Sequence, residues 1–357
     1  MAEILGLGVT HQPTLSAEPI KPGSLRLTLQ DPGLPAHLRV PSGWPDAMRR
    51  EWAEDEGAAH ARTHRAALVD ELRKARQALD DFRPDVVVVF GDDQYENFKD
   101  DTIPAFSVLA YDSISFRPWE KRPGNVWNEP ADTIFTCAGH RRAAKHLATS
   151  LLEQSFDIAY AYRPLHVPLG HAFQNTIMYL DWDRTGFPYP VIPFAVNCFG
   201  RTLVTRRGYL AKIGEELTED QIDPPSPSPA RCFDLGAACA RAMADSPWRV
   251  ALVASSSWSH AFLTEKNYYL YPDHDADQAL YHALCAGDYQ AWRNRSLAAV
   301  ENSGQHEMLN WFCLIGAMAE LGRRPDYTAY LESSVMNSNK VIASFRPDKE
   351  TNNAHLS

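Results

Sequence analysis

The sequence lacks the features of several protein classes. No apolar stretch approaches the ~20 residues that span a bilayer, and no basic region of a secretory signal precedes the first apolar run. No basic run appears and the net charge is −10, which argues against a nucleic-acid partner. The six cysteines are scattered, without a C-x-x-C pair, as in a reducing compartment. We therefore expect a cytoplasmic protein without a membrane or nucleic-acid partner.

Two common catalytic signatures are also incomplete. Gly6 and Gly8 follow the first apolar run, but the third glycine and the following helix of a dinucleotide-binding fingerprint are missing. The serines at 255–257 lack the flanking glycines of a nucleophile elbow. Neither dinucleotide-dependent nor serine-nucleophile chemistry is indicated.

Short apolar runs alternate with helical patterns, which predicts an α/β fold with a mostly parallel central sheet, flanking helices and an active site at the carboxyl ends of the strands. The predicted strands are Ile4–Val9, Val86–Phe90, Phe106–Ala110, Ile158–Ala161, Val191–Val196, Val250–Ala254 and Val341–Phe345. The predicted helices are Glu56–Asp81, Gly139–Gln154, Ala230–Asp245, Asp275–Ala286 and Gln305–Leu321. The length of 357 residues suits one elaborated domain.

Residues 13–50 are rich in Pro, Gly and Leu without a sustained period. This pattern predicts a long excursion, and such segments often act as lids. The tail, residues 348–357, is polar. The catalytic domain is therefore expected within residues 1–347.

Glu307 heads a helical pattern whose same face is otherwise apolar, with Trp311, Leu314 and Met318 at helical spacing. Ser303 is the expected N-cap, which would place Glu307 beyond the first turn. A carboxylate aimed into a core is costly unless a cation or strong donors compensate it. Glu307 either leans out to solvent or pairs with an arginine, or it ligates a metal ion.

Histidines follow three of the predicted strands, at His11, His171 and His260, and a polar cluster, Gly91-Asp92-Asp93-Gln94, follows the second strand. One such histidine is usually a hydrogen-bonded structural residue. Three of them with a buried-face carboxylate form a less accidental set. One or two histidines plus one carboxylate, with open coordination positions, are the pattern of a mononuclear non-haem Fe(II) site, and the remaining histidines would then serve as acid–base groups.

Five segments in order resemble the class III, LigB-type, extradiol ring-cleaving dioxygenases, which include the protocatechuate 4,5-dioxygenase β-subunit and methylgallate-type enzymes. These segments are GVTHQPTL, DVVVVFGDDQYENF, PLGHAFQNT, SSSWSHAF and SGQHEMLNWFCLIGAM. The resemblance runs from Ile4 to about Pro347, outside residues 13–50. It implies metal ligands at His11 and Glu307, an acid–base residue at His260 and a pocket histidine at His171.

One position departs from the family pattern. Where the family has its second metal-binding histidine, this sequence has Gln94. Three alternatives follow: Gln94 ligates through its carbonyl, His60 of the neighbouring helix replaces it as a reserve ligand, or the site is degenerate. His60 and His64 are four residues apart on a predicted helix, a spacing that can bind one metal but also suits a solvated face.

The resemblance implies Fe(II), with Mn(II) as the alternative, and extradiol cleavage of a catechol- or gallate-type aromatic acid by O₂ in the catabolism of lignin-derived compounds. Tyr95, Asn97, Ser334 and Asn337 are candidate substrate-binding residues, and we expect a homo-oligomer. The alternatives are a metal-binding protein on this fold that has lost catalysis, and a metal-dependent hydrolase. The retained His171 and His260 argue against the first, because a scaffold needs no acid–base groups.

Overall fold

The computed structural model describes residues 2–120 and 124–347; the predicted polar tail lies outside them. The described strands are β1 Ile4–Val9, β2 Val86–Asp92, β3 Phe106–Leu109, β4 Ser113–Phe116, β5 Phe135–Ala138, β6 Ala159–Ala161, β7 Val191–Val196, β8 Val250–Ser255, β9 Tyr327–Leu331 and β10 Lys340–Phe345. The described α-helices are α1 Gly23–Thr28, α2 Asp46–Trp52, α3 Ala58–Phe82, α4 Arg141–Glu153, α5 His171–Leu180, α6 Pro229–Ala244, α7 His274–Ala286, α8 Tyr289–Arg293, α9 Leu297–Asn302 and α10 Leu309–Glu320.

Every predicted strand is present, and the α/β class with flanking helices is confirmed. Eight strands form one sheet in the order β6-β3-β7-β2-β8-β1-β10-β9, and β4 and β5 form a separate hairpin. The prediction of a mostly parallel sheet was wrong, because the sheet is mixed. The central strands β7, β2, β8 and β1 are parallel, whereas β3 pairs with β7 and β10 pairs with β1 in antiparallel fashion. No crossover helix separates β2 from β3 or β9 from β10, so the chain reverses at each of these connections.

Strand β2 shows why the centre of the sheet forms. Its valines are β-branched and suit a pleated strand, and all are buried. Val86 and Val88 enter the core on one face, whereas Val87 and Val89 enter the core on the other. Both faces of the sheet are therefore covered by helices, which explains the continuous rather than alternating apolar run.

The segment before α10 differs from its predicted form. Ser303 does not begin a helix: it follows the last residue of α9, and its backbone N–H donates to Ala299 O. Gly304 has a φ of +63°, a conformation that interrupts a helix and suits glycine. Glu307 consequently lies in a 3₁₀ turn, His306–Met308, immediately before α10, while the following apolar stripe is buried as predicted.

Residues 13–50 form short helical turns together with α1 and α2, rather than only an irregular loop. Their apolar side chains, among them Leu25, Trp44 and Met48, join a separate core with Val335 and Met336. The excursion is thus packed against the loop between β9 and β10. Among the described residues, no helix is long and apolar enough to cross a membrane.

Candidate metal centre

The candidate site lies where β1, β2 and β8 end. These three strands are adjacent and parallel, so the residues after their carboxyl ends meet at one edge of the sheet. His11 follows β1, Asp92 ends β2, and His260 follows β8. All three side chains are buried. The predicted strand-end location thus brings together groups that are far apart in the sequence.

His11 presents one ring nitrogen to two carboxylates. Its Nδ1 lies 3.0 Å from the carbonyl oxygen of Ser255, which only accepts, so Nδ1 carries the proton and Nε2 has a free lone pair. That Nε2 is 3.4 Å from Asp92 Oδ1 and 3.6 Å from Glu307 Oε2. Burial, and then the neighbouring His171, lower the pKa of His11 to about 3. Three lone-pair donors therefore converge, as they do around a cation, and the backbone bond at Nδ1 is typical of a metal-ligating histidine.

Glu307 carries an oxygen without a hydrogen bond. Its Oε1 accepts from Gln94 at 3.1 Å, but Oε2 has no hydrogen-bond partner, although His11 Nε2 and His260 Nε2 lie 3.6 and 3.3 Å away. Burial, and then the charge of Asp92, raise the pKa of Glu307 well above its ordinary value. A buried oxygen of this kind is costly in the protein alone, and a bound divalent cation would compensate it. These residues fit a metal ion.

Gln94 lies where the second ligand was predicted, but its amide nitrogen faces the site. Its Nε2 donates to Asp92 Oδ2 at 3.2 Å as well as to Glu307. The side chain therefore links two carboxylates, and ligation through its carbonyl oxygen would require the amide to turn over. A direct role for Gln94 in metal binding stays a prediction.

Asp92 is a candidate ligand that the sequence interpretation missed. The ligand atoms of His11, Asp92 and His171 lie within 4.8 Å of one another, and Asp92 is fully buried. Burial raises its pKa to about 6, with His171 acting in the opposite direction. The signal available was its position as the last residue of a buried strand. The adjacent Asp93 instead accepts backbone N–H groups of the following loop.

His171 begins α5 and is oriented by Glu96, which sequence reasoning also missed. Glu96 Oε2 accepts from the backbone N of His171 at 2.9 Å and lies 2.7 Å from its Nδ1. The His171 ring packs edge-on against His11, with centroids 5.3 Å apart. His171 and Glu96 also border a cavity of about 540 Å³ formed with the β4–β5 hairpin. His171 and His260 therefore border different cavities, and His171 contacts the centre through His11.

His260 lies beside Glu307 at the centre. It is buried, and its Nδ1 has no hydrogen-bond partner. Burial, followed by the charge of Lys340, lowers the pKa of His260 well below its ordinary value. The ring is therefore neutral near pH 7, with a lone pair on one of its two nitrogens.

Asp277 of α7 ties together the segments that carry His260 and Glu307. It accepts from the backbone N of Ser259 at 3.0 Å and from Gln305 Nε2 at 2.7 Å. Burial raises its pKa to about 7. The structural role of Asp277 was not recognised from sequence, because an acidic residue near the start of a helix is ordinarily exposed to solvent.

His60, the reserve ligand, is engaged elsewhere. Its Nε2 lies 2.9 Å from Ser333 Oγ and 3.3 Å from Glu51 Oε2, and its ring stacks on His64. His60 is not part of the group formed by His11, Asp92 and His171.

The four candidate substrate-binding residues separate into different environments. Asn337 lines a cavity next to Glu307. Asn97 uses its side chain to bond the backbone of residues 167 and 170, and Ser334 Oγ lies 3.0 Å from His274. Tyr95 has cationic groups of Lys99 and Arg207 over its ring. Only Asn337 is brought to the cavity at the centre, whereas Asn97 supports the loop before His171.

We call the cavity beside Glu307 the catalytic cavity. Its volume is about 220 Å³. Its walls include Gln94, His260, Glu307, Phe262, Asn337 and, from the excursion, Lys21 to Ser24. The excursion therefore contributes directly to the walls around the candidate centre.

Part of the chain matches a known protein family. Residues 220–338, which include His260 and Glu307, match the family model described as the catalytic LigB subunit of aromatic ring-opening dioxygenase. A 2,3-dihydroxyphenylpropionate/2,3-dihydroxicinnamic acid 1,2-dioxygenase of Paraburkholderia xenovorans is 30% identical over 52% of this chain and 46% of that protein. A similarly named enzyme of Photorhabdus laumondii is 24% identical over 53% of this chain and 47% of its own length.

A gallate dioxygenase of Pseudomonas putida is 24% identical over 61% of this chain and 58% of that protein. The chain thus spans about half the length of the dihydroxyphenylpropionate relatives that it matches. The resemblance of this chain to the LigB-type extradiol dioxygenases, predicted from its motifs, is confirmed.

Proposed function

We propose that the protein cleaves a catechol- or gallate-type aromatic acid by extradiol oxygenation with Fe(II). The observation that carries the proposal is the unpartnered Oε2 of Glu307, which is buried and faces the Nε2 atoms of His11 and His260. A metal ion would satisfy this oxygen, and the relatives named above act on aromatic diols or gallate. The site thus combines a metal-binding set with an imidazole poised for proton transfer.

His11 Nε2 and Glu307 Oε2 would hold the metal, with Asp92 or Gln94 completing the set. Imidazole and carboxylate ligands with open positions suit Fe(II). When bound, the iron would hold the diol and O₂ close together and lower the cost of ionising the diol. The backbone bond between His11 and Ser255 O fixes the ring that presents Nε2.

His260 would take the proton that a substrate hydroxyl loses on binding. The ring is neutral near pH 7, because burial disfavours its charged form, and it lines the catalytic cavity. Returning that proton to the cleaved product would complete the acid–base cycle. His171, which is oriented by Glu96 and contacts the His11 ring, would hydrogen-bond the substrate or oxygen.

The excursion would act as the lid and recognise the acid group of the substrate. Lys21 is an exposed residue on the cavity wall. Among the described residues, the nearby cations Arg26 and Arg65 form ion pairs with Glu56 and Glu18, whereas no carboxylate pairs with Lys21. Its ammonium group supplies the local positive charge that an acidic chain needs to bind an anion. Substrate binding should slow amide hydrogen exchange in residues 20–28.

The decisive experiment is anaerobic loading with Fe(II), followed by oxygen uptake over a panel of catechols and gallates. We expect ring opening with both atoms of labelled O₂ in the product. One labelled atom, or an intact ring after oxygen uptake, would exclude this function. A hydrolase would act without O₂, and a degenerate protein would bind Fe(II) without consuming O₂, so the same assay separates both alternatives.

The homo-oligomer and the domain limits at residues 1–347 remain predictions. Light scattering of the purified chain tests the first. Removal of residues 348–357 with full retention of Fe(II) binding and turnover would support the second.

A further inference from the structure

A second cavity, of about 400 Å³, adjoins the catalytic cavity. Phe262 lines both of them. Two consecutive residues border different cavities: Glu307 borders the catalytic cavity, and His306 borders the second one. The two spaces therefore share a wall built from Phe262 and the turn that carries Glu307.

His306 is the unusual group in this wall. Its side chain is only 3% exposed, and neither ring nitrogen has a hydrogen-bond partner. Its ring stacks on Phe199, with centroids 6.0 Å apart and planes 16° from parallel. Buried polar atoms are nearly always satisfied in folded proteins. A neutral imidazole offers one donor and one acceptor at separate nitrogens, and a hydroxyl group can bond either of them.

The remaining walls indicate an uncharged aromatic ligand. The apolar wall residues are Leu203, Leu217, Ile222, Phe262 and Leu263. The charged ones are Arg201, Arg206, Glu215, Glu265 and Glu301, two cations against three carboxylates, so the cavity does not favour an anion. Arg206 is moreover paired with Glu215 at 2.8 Å.

We propose that the second cavity binds a neutral, hydroxyl-bearing aromatic ring, with the hydroxyl group on His306. Its volume of about 400 Å³ lies within the ~300–1,000 Å³ of small-molecule sites, whereas the catalytic cavity of about 220 Å³ suits one ring. The phenolic group has two sources: the second ring of a two-ring substrate, or a separate phenol. The first source rests on the proposed function, and binding itself does not.

Calorimetric titration of the metal-free protein with 4-hydroxybenzyl alcohol, a neutral phenol without a vicinal diol, tests binding without turnover. We expect wild type to bind, His306→Phe to lose the hydrogen bond, and Ala211→Trp to fill the cavity from a different segment. Each should weaken binding at least about tenfold. Ala286→Trp, at an exposed position outside both cavities, is the matched control and should bind like wild type.

Undetectable binding to wild type, or equal affinity in folded Ala211→Trp, would overturn the proposal. Steady-state kinetics then distinguish the sources. If Ala211→Trp raises KM for a two-ring catechol but not for a one-ring catechol, the substrate supplies the phenolic ring. If both KM values stay unchanged while calorimetric binding of the probe is lost, the second cavity binds a separate phenol. A chain that binds the probe but cleaves no catechol would refute only the proposed function.

Discussion

The amide nitrogen of Gln94 donates a hydrogen bond to Glu307 Oε1 at 3.1 Å, across 213 positions of sequence. The same nitrogen donates to Asp92 Oδ2. Gln94, which stands where the resemblance predicted a metal-binding histidine, therefore holds two carboxylates close together. This arrangement keeps Glu307 Oε2 directed at His11 and His260.

Removing the carboxylate should remove the metal. Glu307→Ala deletes the unpartnered oxygen, so we expect loss of stoichiometric Fe(II) binding, measured by anaerobic titration. Gln94→His should bind Fe(II) at least as well as wild type, because imidazole is a better donor to Fe(II) than an amide carbonyl. Full Fe(II) stoichiometry in Glu307→Ala would contradict the assignment.

Substitution of either His260 or His171 should reduce turnover without removing the metal. His260→Phe and His171→Phe are expected to retain Fe(II) but to lose turnover by ~10²–10⁴-fold, the range of general acid–base catalysis. The measurement is kcat at saturating substrate and iron. Near-wild-type kcat in His260→Phe would show that another group moves the proton.

Lys21 should discriminate between charged and neutral substrates. Lys21→Gln removes the cation at the cavity wall, and we expect KM for a catechol carboxylate to rise about tenfold, or ~1.4 kcal/mol. KM for an uncharged catechol should stay within about twofold. Lys212→Gln, at an exposed position elsewhere, is the control. An equal rise for both substrates would point to a general effect on the lid.

Asp277 should make stability depend on pH. Burial raises its pKa to about 7 from an ordinary value of 3.8, so the folded state binds a proton more tightly than the unfolded state. Its contribution to stability is therefore full below pH 3.8 and is lost as pH rises through about 7. Relative to Asp277→Asn, wild type should lose on the order of 2–4 kcal/mol between pH 4 and 8. Urea unfolding of both proteins measures this difference, and a pH-independent difference would contradict it.

Gly8 should tolerate no side chain. A Cβ at this position would lie 2.0 Å from Cη2 of Trp311, so β1 and α10 would have to separate. We expect Gly8→Ala to lower the free energy of unfolding by ~1–3 kcal/mol or more. Gly23→Ala, where nothing lies within 4 Å, is the matched control. Equal stability of the two variants would show that Trp311 moves aside freely.

Sequence patterns predicted the elements whose burial is regular. The valine run of β2 and the apolar stripe of α10 have strong local signals, and both are present. Strand β9 is half-buried along its whole length, so its sequence shows no clear alternation. The reversal between β9 and β10 depends on pairing with β1, which no local pattern records.

In the candidate centre, too, some residues were predictable from local sequence and others were not. His11, His171, His260 and Glu307 stand in recognisable segments and meet in space. Glu96 and Asp277 act through partners that are 75 and 28 residues away, so their roles appear only after the chain has folded. Two charged residues that look ordinary in the sequence thus position the candidate acid–base and metal-binding groups.

The order of the sheet carries a consequence for biosynthesis. Strand β1 lies between β8 and β10, so during synthesis it finds its two neighbours only after Val250–Ser255 and Lys340–Phe345 have been made. His11 can form its contacts with Ser255 and Glu307 only after those residues and the β9–β10 hairpin at the edge of the sheet have been made. Iron loading should therefore be a late, post-translational event, and nascent chains that end before Glu307 should neither retain iron nor consume oxygen.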